Sequence, residues 1–302
     1  MLKIIGKLLS YIGMFFAILL AGTTNQPAVQ DGYEKTVESG GFIEDEYLNK
    51  GSYDVSYFEE DTSEFFDKYE VSYPSELETG DLKYPVIVVA NGTATAASTY
   101  KPLFEHYASW GFVVIGNEDE GSWSGESTEK CLEYLIEKNE DKDSIFYDKL
   151  DFERVGITGH SQGGAAVINA MTKQPNGDMY KAAALLSPAN EELSDKLGWS
   201  YDAGKINVPV FIGAGTSGEF ETETVIPFEK LELLYSHINS PKVMMRRTGI
   251  GHGRTLYYMS GYVTAWFRWQ LCGDMEAAKA FVGDNPEILD NKLYQDQRID
   301  LE

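Results

Sequence analysis

Residues 154–170 read RVGITGHSQGGAAVINA, and the fold turns on what flanks the serine at their centre. Val155, Ile157 and the small residues between them make a short apolar run of the kind that becomes a strand covered on both faces. From Gln162 the pattern changes to small and apolar residues at helical spacing. Strand, then Gly159, His160, Ser161, Gln162, Gly163, then helix is the order a nucleophile elbow needs. The sharp turn forces the serine into strained backbone, and the two glycines let strand and helix approach closely. The helix N-terminus turns its positive dipole end toward the same point. Ser161 is therefore the candidate nucleophile.

The chain on either side supplies the context such an elbow requires. YPVIVVA (84–90), GFVVIGN (111–117), AAALLS (182–187), VPVFIGAG (208–215) and KVMMRR (242–247) are short apolar runs bounded by Gly, Pro or Asn, as in buried parallel strands. Between them lie helix-patterned segments, TYKPLFEHYASW, TEKCLEYLIEK, IPFEKLELLYSHI and TLYYMSGYVTAWFRWQL. SYDVSYFEE (52–60) and FFDKYEVSY (65–73) alternate apolar and polar residues and read as half-buried antiparallel strands. The prediction is an α/β fold in a single domain over residues 30–302, with a mostly parallel sheet flanked by helices on both faces. Its polar tail, from about residue 284, is expected to be loosely attached.

Composition narrows the partners. With 302 residues and 43% hydrophobic content the chain can bury a large core, and a formal charge of −23 argues against nucleic acid or an anionic membrane surface. Residues 1–24 carry Lys3 and Lys7, then an uncharged apolar run, then small residues. That is the layout of a secretory signal peptide or, uncleaved, of a membrane anchor, and either places the rest outside the cytoplasm. No cysteine follows it to carry a lipid. The two cysteines, Cys131 and Cys272, fall in separate helix-like segments without the spacing of a redox or zinc site, and are expected to be unpaired. NEDEG at 117–121 has the spacing of no calcium loop and reads as a solvated strand end. A monomer is expected.

A serine needs a base, and the base needs an acid. Of four histidines, His106 precedes the serine on an apparent surface helix, His160 sits inside the elbow as a packing residue, and His237 ends a helix. His252, in the glycine-flanked loop TGIGHGRTLY after the last strand-like run, follows the serine, acid, histidine order of such enzymes. The acid should follow VPVFIGAG, where TSGEFETETVIP offers Glu219, Glu221 and Glu223. Distance from the strand favours Glu219, with Glu221 and Glu223 as alternatives. Two N–H donors are needed for an oxyanion. The backbone of Gln162 is one, and Thr93 in the ANGTATA loop the other. Asn91, Gly92 and Thr93 also spell a glycosylation sequon, read as chance at this position. Trp123, Tyr100 and Phe220 are candidate pocket aromatics.

These residues resemble a known family. YPVIVVANGTATAASTYKPLFEHYASWGFVVIGNEDEG, GITGHSQGGAA, VPVFIGAG and AWFRWQL look like the cutinase-like and PET-hydrolase-like branch of the α/β-hydrolases, close to the dienelactone-hydrolase clan, over roughly residues 50–283. The resemblance implies an α/β-hydrolase fold and a lidless esterase acting on a small-molecule or polymeric carboxylic ester without a cofactor or metal. It implies Ser161 as nucleophile, His252 as base, and Thr93 and Gln162 as oxyanion donors. The family's usual aspartate is absent, and its trailing pattern would pick Glu223, in ETVIP. The tryptophan that polyester-degrading members carry after the next strand has no counterpart in LLSPANEEL. Two other readings of the scaffold are a peptidase, for which there is no spare length to build a gating domain, and a non-catalytic binding protein, which would have lost a triad member.

Overall fold

The computed structural model describes residues 28–302; the expected leader, 1–24, lies outside the described residues. Among the described residues nine strands form one sheet, in the order β1-β2-β4-β3-β5-β6-β7-β8-β9. Its centre is the parallel set β3 (Tyr84–Ala90), β4 (Val113–Asn117), β5 (Leu150–His160), β6 (Tyr180–Leu186), β7 (Val210–Gly215) and β8 (Lys242–Arg247). The antiparallel ribbon β1 (Val55–Asp61) and β2 (Lys68–Pro74) closes one edge. Successive side chains leave a strand on opposite faces, and β3 and β7 are apolar and buried throughout because both faces are covered. On β3, Val86 and Val88 point into one core and Ile87 and Val89 into the other. On β6, Ala183 and Leu185 oppose Ala182, Ala184 and Leu186 in the same way.

The helices of seven residues or more are α1 (Phe42–Leu48), α2 (Lys101–Ser109), α3 (Glu126–Glu140), α4 (Gln162–Lys173), α5 (Glu191–Leu197), α6 (Phe228–His237), α7 (His252–Tyr258) and α8 (Ser260–Cys272). The segment TLYYMSGYVTAWFRWQL is not one helix, since α7 and α8 break at Met259. Cys131 on α3 and Cys272 at the end of α8 carry free thiols, and burial pushes that of Cys131 up to about 12.

The C-terminal tail is not loose. Residues Tyr294–Asp300 form β9, antiparallel to β8, and Lys242 Nζ pairs with Asp300 at 2.6 Å. Glu287 accepts the backbone N–H groups of Ile43 and Glu44 at 2.7 and 2.9 Å, capping α1 from the far end of the chain. Buried Glu44 accepts in turn from Asn291 and from the Tyr294 hydroxyl. A polar, charge-rich stretch thus becomes an edge strand because β8 pairs with it and Glu44, 250 residues before Tyr294, holds it in place, both beyond the reach of local pattern.

Candidate active site

The RVGITGHSQGG segment forms the predicted turn. β5 ends at His160, α4 starts at Gln162, and Ser161 between them has φ 61° and ψ −119°, a conformation costing a non-glycine residue about 1–3 kcal/mol. Its N–H donates to Leu186 O at 3.0 Å and its carbonyl accepts from Gly164 and Ala189 at 3.0 and 3.1 Å, so β6 and α4 hold the strain in place. The glycines are required by space. A Cβ on Gly159 would lie 2.3 Å from the Gly163 carbonyl oxygen, and one on Gly163 would lie 2.3 Å from that of Ala90.

His252 opens α7, and its Nδ1 meets Glu221 Oε2 at 2.7 Å. The structure therefore departs from the first choice of acid. Glu219 and Glu223 are exposed, whereas Glu221 is fully buried. Residues Phe220–Val225 form a π-helical turn rather than an open loop, with Glu219 just outside it. In this wider winding Glu221 and Val225 share the inward face, while Glu219 and Glu223 turn to solvent. Burial opposes the charge of Glu221, yet hydrogen bonds from His252, the Ser187 hydroxyl (2.6 Å) and the Gly215 N–H (2.6 Å) outweigh it and hold its pKa below the ordinary glutamate value.

Ser187 and Thr255 are participants that sequence reasoning missed. Ser187, at φ 42° just after β6, donates to Glu221 Oε1 and lies 2.7 Å from the Thr255 hydroxyl. Thr255 also reaches the His252 carbonyl at 2.9 Å. A hydroxyl ending the otherwise apolar AAALLS was the available signal. Asn190 was missed too. It caps α5 by accepting from Leu193 N–H at 3.1 Å, and its amide donates to the carbonyls of Thr224 and Val225 at 3.1 and 2.8 Å. One side chain thereby ties α5 to the turn that carries Glu221.

The ANGTATA loop packs beside the elbow. Asn91 is buried and donates to the carbonyls of Asn117 and Asp119, both at 2.7 Å, which removes it from reach as a glycan acceptor in the folded chain. Gly92 N–H donates to the Tyr100 hydroxyl at 3.1 Å, Ala94 N–H to Glu120 O at 3.0 Å, and Thr95 N–H to Gly92 O at 3.3 Å. Of the amides at 92–95, the Thr93 N–H is the one without such a bond among the described residues. Gln162 is the first residue of α4, where backbone N–H groups have no partner within the helix.

The other histidines are elsewhere or otherwise engaged. His106 is not on a surface helix face; it is buried, with Nε2 at 3.0 Å from both Tyr47 O and Thr264 Oγ1, and burial lowers its pKa to about 4. His237 is exposed and pairs with Glu191 at 2.8 Å. His160 donates from Nε2 to the His252 carbonyl at 2.8 Å, its ring 4.5 Å from that of His252. Burial, with the neighbouring imidazole, lowers its pKa from 6.5 to about 3. The sign follows from proton counting: below about pH 6.5 the unfolded chain takes up a proton that folded His160 refuses, so stability falls as pH falls. Between pH 6.5 and 4.5 this group should remove about 2–3 kcal/mol. Urea midpoints across that range check it, and a flat profile would contradict a buried neutral His160.

A cavity of about 310 Å³ opens at these residues, lined by Ser161, His252, His160, Thr93, Tyr100 and Phe220 among others. Tyr100 and Phe220 thus occupy the expected place, whereas Trp123 stands outside the lining. Phe220 meets the His252 ring edge-on, centroids 4.9 Å apart.

Comparison with known proteins points to one family. The chain is 27% identical over 189 residues to cutinase est2 of Thermobifida alba, covering 60% of this chain and 56% of the relative. It is 28% identical over 123 residues to cutinase cut1 of Thermobifida fusca, covering 39% and 35%. With the bis(hydroxyethyl) terephthalate hydrolase of Streptomyces coelicolor it shares 29% identity over 129 residues, covering 41% and 38%. The chain spans about half or less of the length of these curated relatives. The PET hydrolase-like family pattern matches residues 39–228, more than half of the chain, and with the elbow, the buried acid and the sheet order in place the chain belongs to the PET hydrolase-like family of α/β-hydrolases.

Proposed function

We propose that this protein hydrolyses carboxylic esters through an acyl-enzyme, with Ser161 as nucleophile, His252 as general base and Glu221 as the orienting acid. The observation that carries it is the 2.7 Å contact between His252 Nδ1 and buried Glu221, in a cavity that both His252 and the strained Ser161 line. With Nδ1–H held by the carboxylate, the imidazole presents Nε2 as the proton acceptor. Ser161 Oγ attacks the ester carbon while its proton passes to His252 Nε2. The carbonyl oxygen becomes an oxyanion facing the Thr93 and Gln162 N–H groups. Collapse breaks the bond to the alcohol oxygen, which leaves with the proton from His252. Water then repeats the sequence on the acyl-enzyme, giving its proton to His252 and releasing the carboxylic acid and Ser161. No step calls for a cofactor. The similarity to cutinases and to a terephthalate ester hydrolase supports this choice of bond over the peptide bond. The leader-like residues 1–24 support an extracytoplasmic address.

Labelling with a fluorophosphonate probe tests the reading. A single adduct mapped to Ser161 by peptide mass spectrometry is the expected result. An intact, folded protein that takes no label would exclude a live nucleophile and favour a binding role for the scaffold.

A further inference from the structure

The loop after β3 and the helix that opens with His252 come to Ser161 from distant parts of the sheet. β3 and β8 are separated by β5, β6 and β7, which at about 4.8 Å per strand sets their ends roughly 19 Å apart. A segment upstream of both spans that gap. Residues 28–38 read AVQDGYEKTVE, and their apolar side chains turn inward. Val29, Tyr33 and Val37 are buried, and Ala28 lines the cavity together with Thr93, Tyr100, Ser161 and Leu256. The family pattern begins at residue 39, so this segment lies upstream of it.

Its contacts reach the elements that carry both candidate groups. Val29 N–H donates to Thr99 O at 3.2 Å, within the short turn Ala97–Tyr100. The Tyr100 hydroxyl of that turn accepts from Gly92 N–H, one residue before Thr93. The Tyr33 ring is wedged between α2 and α7, its centroid 5.9 Å from that of His106 and 5.6 Å from that of Tyr257, which it meets edge-on. Tyr257 belongs to the helix that begins with His252. At the far end of the segment, Glu38 O accepts from the buried Arg247 guanidinium, the last residue of β8. Gly32, at φ 72°, bends the chain between Val29 and Tyr33, and the turn Tyr33–Lys35 brings Val37 N–H to Tyr33 O at 3.0 Å.

Resting on the ester-hydrolase reading above, we propose that residues 28–38 are a working part of the active site: Ala28 is a specificity-determining side chain that limits how much of an ester the cavity admits, and Val29 and Tyr33 are positioning residues that hold the Thr93 loop in register with His252. The oxyanion donor and the base act on one tetrahedral intermediate from two separate loops. A misplacement of about 1 Å between such groups costs up to about 100-fold in rate. The wedge at Tyr33 touches the helix that follows the first loop and the helix that opens with the second group, so it fixes their spacing directly rather than through three intervening strands. Loosening it falls on kcat, because both groups do their work in the transition state.

Substitutions in the full chain test this, with p-nitrophenyl butyrate as substrate and a urea midpoint measured for each variant. Ala28→Trp fills space in the cavity and should lower kcat/KM about 10-fold or more through KM, with kcat within about threefold. Tyr33→Leu keeps an apolar side chain but removes the ring, and should lower kcat about 10-fold or more with KM within about twofold. Tyr33→Phe restores the ring and should bring kcat back to within about twofold of the wild type. A merely structural role for Tyr33 would lower the urea midpoint and leave the kcat of the folded protein alone. Should Tyr33→Leu not fold, the same loss of kcat is expected of Tyr257→Ala, which removes the other ring of the wedge from a half-buried position. A wild type that takes no fluorophosphonate label overturns the esterase reading. With a labelled wild type, an unchanged KM in Ala28→Trp, a wild-type kcat in the folded wedge variant, or a Tyr33→Phe as slow as Tyr33→Leu overturns the role of this segment alone.

Discussion

Ser161→Ala is expected to lower kcat/KM for p-nitrophenyl butyrate by about 10⁵-fold, with the fold intact and fluorophosphonate labelling gone. The size follows from what the change removes. Without Oγ there is no covalent intermediate, and His252 has nothing to deprotonate but water that the site does not position. What survives is substrate binding and the amides of Thr93 and Gln162, proposed above to face the oxyanion; such groups together sustain about 10³- to 10⁴-fold over the uncatalysed rate in comparable hydrolases. The substitution also removes no packing, because Ser161 lines the cavity. Alanine still has to adopt the left-handed φ of 61°, so circular dichroism and a denaturation midpoint should accompany the kinetics. Activity within about tenfold of the wild type would remove Ser161 from the mechanism.

The second large effect is expected at Glu221, and it is selective. Glu221→Gln should lower kcat about 10³- to 10⁴-fold, while Glu219→Gln and Glu223→Gln should stay within about twofold. The carboxylate accepts from His252 Nδ1, Ser187 and Gly215. A carboxamide can keep the two bonds to Oε1 only by turning its NH₂ toward His252. The imidazole then carries its hydrogen on Nε2 and meets Ser161 as a donor, the wrong tautomer for a base. Glu219 and Glu223 are exposed and have no comparable role. Three equal losses, or a loss confined to Glu219, would mean that the π-helical turn is not the working geometry.

Much of this was legible in the chain because the decisive signals are local. The elbow is written in five consecutive residues whose spacing is imposed by carbonyl contacts of Gly159 and Gly163, and the central strands betray themselves by short apolar runs such as VIVV, AAALL and VFIGAG. His252 was findable by elimination among four histidines and by its place after the last parallel strand. The acid was not, because a choice among three glutamates two residues apart depends on how the turn winds. An i→i+5 turn buries the middle one, and nothing in FETETV marks that winding. β9 escaped for the opposite reason: YQDQRID has no apolar alternation and is a strand only because β8 needs an edge partner and Glu44 waits for Tyr294. Helix α5 is seven residues long, too short for periodicity to declare itself. Ser187, Thr255 and Asn190 act through partners distant in sequence, so no local pattern names them.

Asn190 gives the site a property that matters for how it can change. The same amide that caps α5 holds the carbonyls of Thr224 and Val225, so the wall of the cavity and the carboxylate beneath the imidazole hang from one joint. On the proposed reading, substrate range and turnover are expected to change together. Substitutions that widen the cavity by loosening residues 191–199 are expected to loosen Glu221 as well, and so to slow turnover. Changes confined to the outer face of α5, or to the opposite flank after β3, leave that joint alone, and they are the routes by which new esters can be accepted without surrendering rate.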